Sequence, residues 1–406
     1  MRIFLFVSLP KTKCISMKRN FIKPLLICSA LFAAGAVNAQ QPENMGFGGF
    51  QFREVKLENA DKIADVNYAG DDQAYHNCDI YIPKNAQKPY PVVIHIYGSA
   101  WFSNSSKGMA DIATIVKALV DAGYAVVTPN HRSSMDAKYP AQINDIKAVI
   151  RFVRGEADKY GFDPRFIATS GFSSGGHLAS LAATTKNTKQ GKSGSVTVDL
   201  EGSVGKYTNM SSNVDAACDW SGPIDLMNMD CGGKRGEGAS GPEEALLGAK
   251  ASENPDLYNL LTPVYYIDKN DPPLIVFHGK EDNVVPCCQG QELYDHLKAA
   301  GVKTDLTLVD GGGHGMNMYS EANLQKMVNF LNAAKATRIT NNGNVNGNGN
   351  ANGHSKEKVN GNGQNKEKAN ENTSKGKTKV NGNSGATDQK SQEPTSKGKK
   401  AKTKKK

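Results

Sequence analysis

Short β-branched runs alternate with helical segments through the middle of this chain, and that alternation constrains the fold more than any other feature. "PVVIHIY" (91–97), "YAVVTPN" (124–130), "FIATSG" (166–171), "AACDW" (216–220), "PLIVFHG" (273–279) and "TDLTLVD" (304–310) each read as a strand. Continuous apolar runs of this length suit parallel strands buried on both faces. Helical segments fall between them, the first near Asp111 to Ala122. In the second, Ile143, Ile146, Ile150 and Val153 recur at spacings of three and four, which makes one apolar helix face running to about Tyr160. Further helices are expected in "GGHLASLAATT", near Gln289 to Ala300, and near Asn323 to Ala334. Repeated β–α alternation implies an α/β fold, a mostly parallel sheet with helices on both faces.

The third strand runs into "GFSSGG", where Gly171, Ser173 and Gly175 meet the frame G-x-S-x-G. Centred on Ser174 the frame fails, because Phe172 stands where glycine is needed. With 41 glycines in 406 residues, a chance match somewhere has a probability of roughly one in three, so the motif needs its context. That context is a strand, a tight turn and a helix. It sets Ser173 at the carboxyl edge of the sheet, where α/β folds carry their sites. Side chains at Gly171 and Gly175 would collide in so sharp a turn. The N-terminal amides of the following helix face developing negative charge.

A serine hydroxyl needs a base, and the base needs an orienting acid. In this architecture the acid and then the histidine follow the serine, each after a late strand. "VFHGKEDNVVP" supplies Asp282, and "LVDGGGHGM" supplies His314 on a glycine-rich loop. Glu281 would point elsewhere from the same loop, and Asp310 ends its strand. His131, His177 and His278 read as structural. The oxyanion requires preorganised N–H donors. One is the Ser174 amide. The others belong to "YGSAW", at Ser99 or Ala100, which gives Ser174 a role through its backbone and none through its hydroxyl.

The two ends read as separable from the fold. Residues 1–39 contain "MKRNFIKPLLICSALFAAGAVNA", a basic start, an apolar run and a small-residue site before Gln40, which is the pattern of a secretory signal with Met17 as an alternative start. The apolar run is too short to span a membrane. Between 341 and 406 there are 15 Lys and 5 acidic residues, a net of +10 against +9 for the whole chain. The remainder is therefore close to neutral, at −1. Residues 338–406 are expected to be a disordered, Asn/Gly/Lys-rich basic tail that is free to contact an acidic surface or polysaccharide. Export argues against a nucleic-acid partner. Residues 40–337 suffice for one large domain. Five cysteines follow the signal: Cys78, Cys218, Cys231, Cys287 and Cys288. The pair expected first is Cys218 with Cys231. Cys287-Cys288 lacks the ligand spacing of a zinc site.

The motifs "VVIHIYGSAWF", "TPNHR", "KYPAQINDIKAVIRFVRGEADKYGFDPRFIATSGFSSGGHLASL", "GPIDL", "PPLIVFHGKEDNVVP" and "GGGHG" resemble α/β-hydrolases. The match is best with the secreted bacterial branch of feruloyl and acetyl esterases that trim plant polysaccharides. The resemblance implies the α/β-hydrolase fold, an eight-stranded mostly parallel sheet, and a triad of Ser173, His314 and Asp282. It also implies no metal and no organic cofactor. One departure is Tyr97-Gly98-Ser99 where such enzymes carry His-Gly-Gly, which puts the oxyanion loop's geometry in question. Trp101 keeps an aromatic position and is a candidate for the substrate pocket, with core packing as the alternative. Residues 227–261 interrupt the strand alternation and read as a small partial lid. The expected function is a periplasmic or secreted serine esterase acting on acylated polysaccharide or small esters. A serine peptidase and a non-catalytic carbohydrate-binding pseudo-hydrolase are the alternatives.

Overall fold

The computed structural model describes residues 55–186, 188–231 and 241–345. The apolar runs become strands because their alternate side chains feed two different cores. In β3 (Tyr90–Ile96), Val92, Ile94 and Ile96 enter one core and Val93 enters the other. In β4 (Ala125–Pro129), β8 (Ala216–Trp220) and β9 (Leu274–Gly279) every residue is buried. Fully burying one such aliphatic side chain stabilises the fold by roughly 1.5–3 kcal/mol relative to leaving it in water.

The main sheet has eight strands. Its edge is β1 (Ala60–Asn67), antiparallel to β2 (Asn77–Pro83), which is in turn antiparallel to β4. Beyond β4 the order is β3, β5 (Phe162–Phe172), β8, β9 and β10 (Thr304–Val309), all parallel to their neighbours. Helices Ala141–Gly155, Ser174–Thr184 and Cys288–Ala299 cover one face through Ile143, Ile146, Leu178, Leu181, Leu293 and Leu297. The other face is covered by a π-helical turn at Ile112–Val116, the helix Lys117–Asp121 that continues it, and the terminal helix through Met327 and Leu331. This is the α/β-hydrolase fold.

Two strands precede the first one legible in the sequence. β1 exposes most of its length, so its composition carries little apolar signal. A separate hairpin, β6 (Gln190–Ser193) with β7 (Val196–Asp199), was also not expected; glycine and lysine dilute its pattern. The terminal helix spans Glu321–Val345, past the expected end at Ala334 and into the residues assigned to the tail. The expected signal segment and the rest of the expected tail lie outside the described residues.

Of the expected lid, 232–240 lie outside the described residues. The remainder forms helices Pro242–Leu247 and Pro255–Leu261, whose Leu246, Leu247, Tyr258 and Leu261 join the core on the elbow side of the sheet. Cys231 is bonded to Cys288 with Cα atoms 6.3 Å apart, which corrects the expected Cys218–Cys231 pair. Cys218 has no route to it. It sits mid-strand in β8, fully buried in the opposite core and free, as is buried Cys78.

Candidate active site

β5 delivers its chain to the turn before the helix Ser174–Thr184 (the elbow helix), and the turn is strained. Ser173 has φ +56° and ψ −124°, a region that costs a non-glycine residue about 1–3 kcal/mol. The strain is held from two sides. Ser173 N–H donates to Trp220 O at 2.8 Å, and Ser173 O accepts from His177 N–H at 3.1 Å. The flanking glycines are sterically required. A Cβ on Gly171 would lie 2.1 Å from Gly175 O, and one on Gly175 would lie 2.1 Å from Ile96 O.

The loops after β9 and β10 bring the acid and the base to this turn. His314 Nδ1 lies 2.8 Å from Asp282 Oδ2, and its Nε2 lies 2.9 Å from Ser173 Oγ. A carboxylate only accepts, so the imidazole proton resides on Nδ1 and leaves Nε2 to accept from the serine hydroxyl. The other oxygen of Asp282 accepts from Val284 N–H at 2.9 Å and Val285 N–H at 2.8 Å. Burial alone would raise the Asp282 carboxyl. The hydrogen bond and charge of His314, with help from His278 and the Val285 amide, hold it below the ordinary carboxylate value. The acid therefore stays ionised. Phe172, the residue between Gly171 and Ser173, lays its ring against the imidazole with centroids 4.8 Å apart.

The loop after β3 lies against the elbow so closely that a Cβ on Gly98 would meet Ser173 Cβ at 2.7 Å and Phe172 O at 2.8 Å. Positive φ falls at Ala100 (+52°) and Trp101 (+60°) rather than at Ser99, so the missing second glycine costs nothing at Ser99 itself. Ser99 N–H donates to Ser174 Oγ at 2.9 Å. That corrects two expectations: the Ser99 amide is already engaged, and the Ser174 hydroxyl is not idle. Among the described residues, the Ala100 and Ser174 amides, unlike that of Ser99, have no hydrogen-bond acceptor. Trp101, expected as a candidate pocket residue, is 2% exposed and packs edge-on against His177 with centroids 5.2 Å apart.

Three further histidines, His177, His131 and His278, are wired into the core. His177 Nε2 donates to Leu261 O at 2.8 Å, and burial pulls its imidazole down to about 4. His131 stacks on Tyr97, and its Nδ1 meets Arg132 O at 2.9 Å. His278 Nε2 donates to Val285 O at 2.8 Å and stands 3.6 Å from Asp282 Oδ2, which steadies the acid loop. Two buried groups escaped the sequence reading. Asp219 at the end of β8 accepts from Ser180 Oγ at 2.6 Å and Gly222 N–H at 2.8 Å, and burial without a cation raises its carboxyl to about 6. His95 bridges Ser170 and Asp111 on the far side of the sheet. Each lies inside a strand run, "PVVIHIY" for His95 and "AACDW" for Asp219, where the apolar pattern marks a strand and gives no sign of a buried polar role. No group of three or more His, Cys, Asp or Glu among the described residues is arranged to hold a metal ion.

Comparison with known proteins agrees with this architecture. A family profile described as BD-FAE matches residues 78–297, which is 220 of the 406 residues. A solved structure described as a truncated form of carbohydrate esterase from gut microbiota is 44% identical, with a TM-score of 0.67 over 70% of this chain and all of that one. The bifunctional GH43-CE of Bacteroides eggerthii is 48% identical with a TM-score of 0.64, over 67% of this chain and 35% of its own. Among curated relatives, Esterase LipQ of Mycobacterium tuberculosis is 30% identical over 53% of this chain and 47% of its own length. The chain thus spans about half the length of such curated relatives.

Proposed function

This chain belongs to the BD-FAE family of α/β-hydrolases, and on that premise we propose that it is an exported serine esterase removing acetyl or feruloyl groups from xylan-type plant polysaccharide. One observation carries the reading: Ser173 Oγ, His314 Nε2 and Nδ1, and Asp282 Oδ2 form a continuous hydrogen-bonded chain at the carboxyl edge of the sheet. His314 takes the hydroxyl proton on Nε2 as Ser173 Oγ bonds to the ester carbonyl carbon. The carbonyl electron pair moves to oxygen, where the Ser174 and Ala100 amides receive it. On collapse the C–O bond to the sugar breaks, and His314 returns the proton to the leaving oxygen. Water then repeats the sequence on the acyl-enzyme and restores Ser173. Asp282 holds the imidazole tautomer and offsets the charge of its cation.

The polysaccharide half of the reading is supported by relatives described as carbohydrate esterases at 44% and 48% identity. Export is supported by the signal-like N-terminus, and the basic tail provides contact with an acidic surface or polysaccharide. The test is a panel of p-nitrophenyl acetate, methyl ferulate, acetylated xylan and an aminoacyl anilide, with wild type and Ser173→Ala. Ester turnover lost in the variant is the expected result. Anilide turnover exceeding ester turnover would favour a peptidase, and xylan binding without turnover would favour a pseudo-hydrolase.

A further inference from the structure

We infer that the Ser174 hydroxyl is a positioning residue for the oxyanion loop: by accepting the Ser99 N–H it locks the loop and leaves the Ala100 amide as the loop's oxyanion donor. The inference rests on the esterase reading and deepens it. Ser174 is 1% exposed, so its hydroxyl meets no substrate and acts only through what it holds. What it holds is the residue immediately before two successive left-handed ones, Ala100 at φ +52° and Trp101 at φ +60°. Non-glycine residues keep such angles only when the surroundings over-determine them. Here the loop is pinned on both sides. Ser99 N–H goes to Ser174 Oγ at 2.9 Å upstream, and Trp101 O accepts from Ser134 N–H at 2.8 Å downstream.

Ser99 is fully engaged. Its carbonyl accepts from Phe102 N–H at 3.0 Å, and its hydroxyl accepts from Ser103 N–H at 3.3 Å. Removing the Ser174 hydroxyl frees the Ser99 N–H, the one attachment that ties the loop to the residue after the nucleophile. One residue thereby governs both donors, Ser174 by its own amide and Ala100 by the loop that its hydroxyl anchors. A donor displaced by about 1 Å costs rate rather than substrate affinity.

The experiment compares wild type with Ser174→Ala, Ser174→Cys (same size, weak acceptor) and Ser174→Thr (hydroxyl retained), using p-nitrophenyl acetate. Inhibition by an alkylboronic acid, which places an anionic oxygen in the site, is measured alongside. The expected result is a kcat loss of roughly tenfold to a hundredfold in Ser174→Ala with KM within about twofold. Boronate affinity falls in parallel, Ser174→Cys loses about tenfold, and Ser174→Thr recovers part of the rate. If the alanine variant does not fold, the cysteine variant decides alone. Retention of kcat within twofold in the soluble Ala or Cys variant, or a rise in KM at constant kcat, would overturn the inference. Ser173→Ala in the same series separates the two levels. Turnover surviving that change sinks the esterase reading itself, whereas its loss beside an unaffected Ser174→Ala sinks only the role of the hydroxyl.

Discussion

Substituting Asp282 by Asn isolates the part of the triad that chemistry, rather than packing, controls. The side chain keeps its size, and its carbonyl oxygen can still accept from the Val284 and Val285 amides at 2.9 and 2.8 Å. The amide nitrogen then occupies the position of Oδ2, 2.8 Å from His314 Nδ1. Two donors cannot face each other, so the imidazole shifts its proton to Nε2, the nitrogen 2.9 Å from Ser173 Oγ. In that tautomer it cannot accept the hydroxyl proton. The expected loss in kcat at pH 7 is about 10⁴-fold, or roughly 5.5 kcal/mol at 1.36 kcal/mol per decade. Steady-state assays on p-nitrophenyl acetate, with circular dichroism to verify the fold, measure it. A folded Asp282→Asn enzyme retaining more than a tenth of wild-type kcat would refute the reasoning, because Asp282 would then not set the tautomer.

Other consequences follow from the same geometry. Gly175→Ala drives a Cβ to 2.1 Å from Ile96 O and should abolish soluble expression or destabilise by more than about 3 kcal/mol in urea unfolding. Gly311→Ala, with φ +67° and open space, should cost only about 1 kcal/mol. The Cys231→Ser/Cys288→Ser double variant opens a link spanning 57 residues and should lower stability by roughly 4 kcal/mol; an unchanged urea midpoint would contradict the bond. Asp219 titrates at about 6 when folded because burial raises it, so its contribution is intact below the unfolded value of 3.8 and is lost as pH rises between the two. Asp219→Asn should therefore gain stability relative to wild type between pH 4 and 7 in paired thermal melts. Asp282, held low, works in the opposite sense: its contribution is present at neutral pH and falls away as pH drops below the usual carboxylate range.

What was legible in the sequence was whatever a local pattern encodes. The central strands were read to within a few residues because burial on both faces leaves runs such as "VVIHI" and "LIVFHG" with no polar interruption. Ser173, Asp282 and His314 were nominated because a strand, a turn and a helix, then two later strand ends, fix their order, and the structure brings the three together. Edge strand β1 was missed because "ADKIADVN" exposes most of its side chains and so lacks the signal. The disulfide was misassigned because separation along the chain says nothing about which face of the sheet a cysteine occupies, and Cys218 faces the core opposite the elbow helix. The Ser99–Ser174 hydrogen bond joins residues 75 positions apart, and no spacing rule points to it. Positive φ at Ala100 and Trp101 was hidden for the same reason, since the contacts that impose it come from elsewhere in the fold.

Covalent capture of one particular oxygen puts the whole account at risk most directly. A fluorophosphonate probe, followed by peptide mass analysis, should label the wild-type chain once, at position 173, and should fail to label either Ser173→Ala or the denatured wild type. Labelling at Ser174, or undiminished labelling after the alanine change, would mean that the hydroxyl facing the imidazole is not the one that reacts.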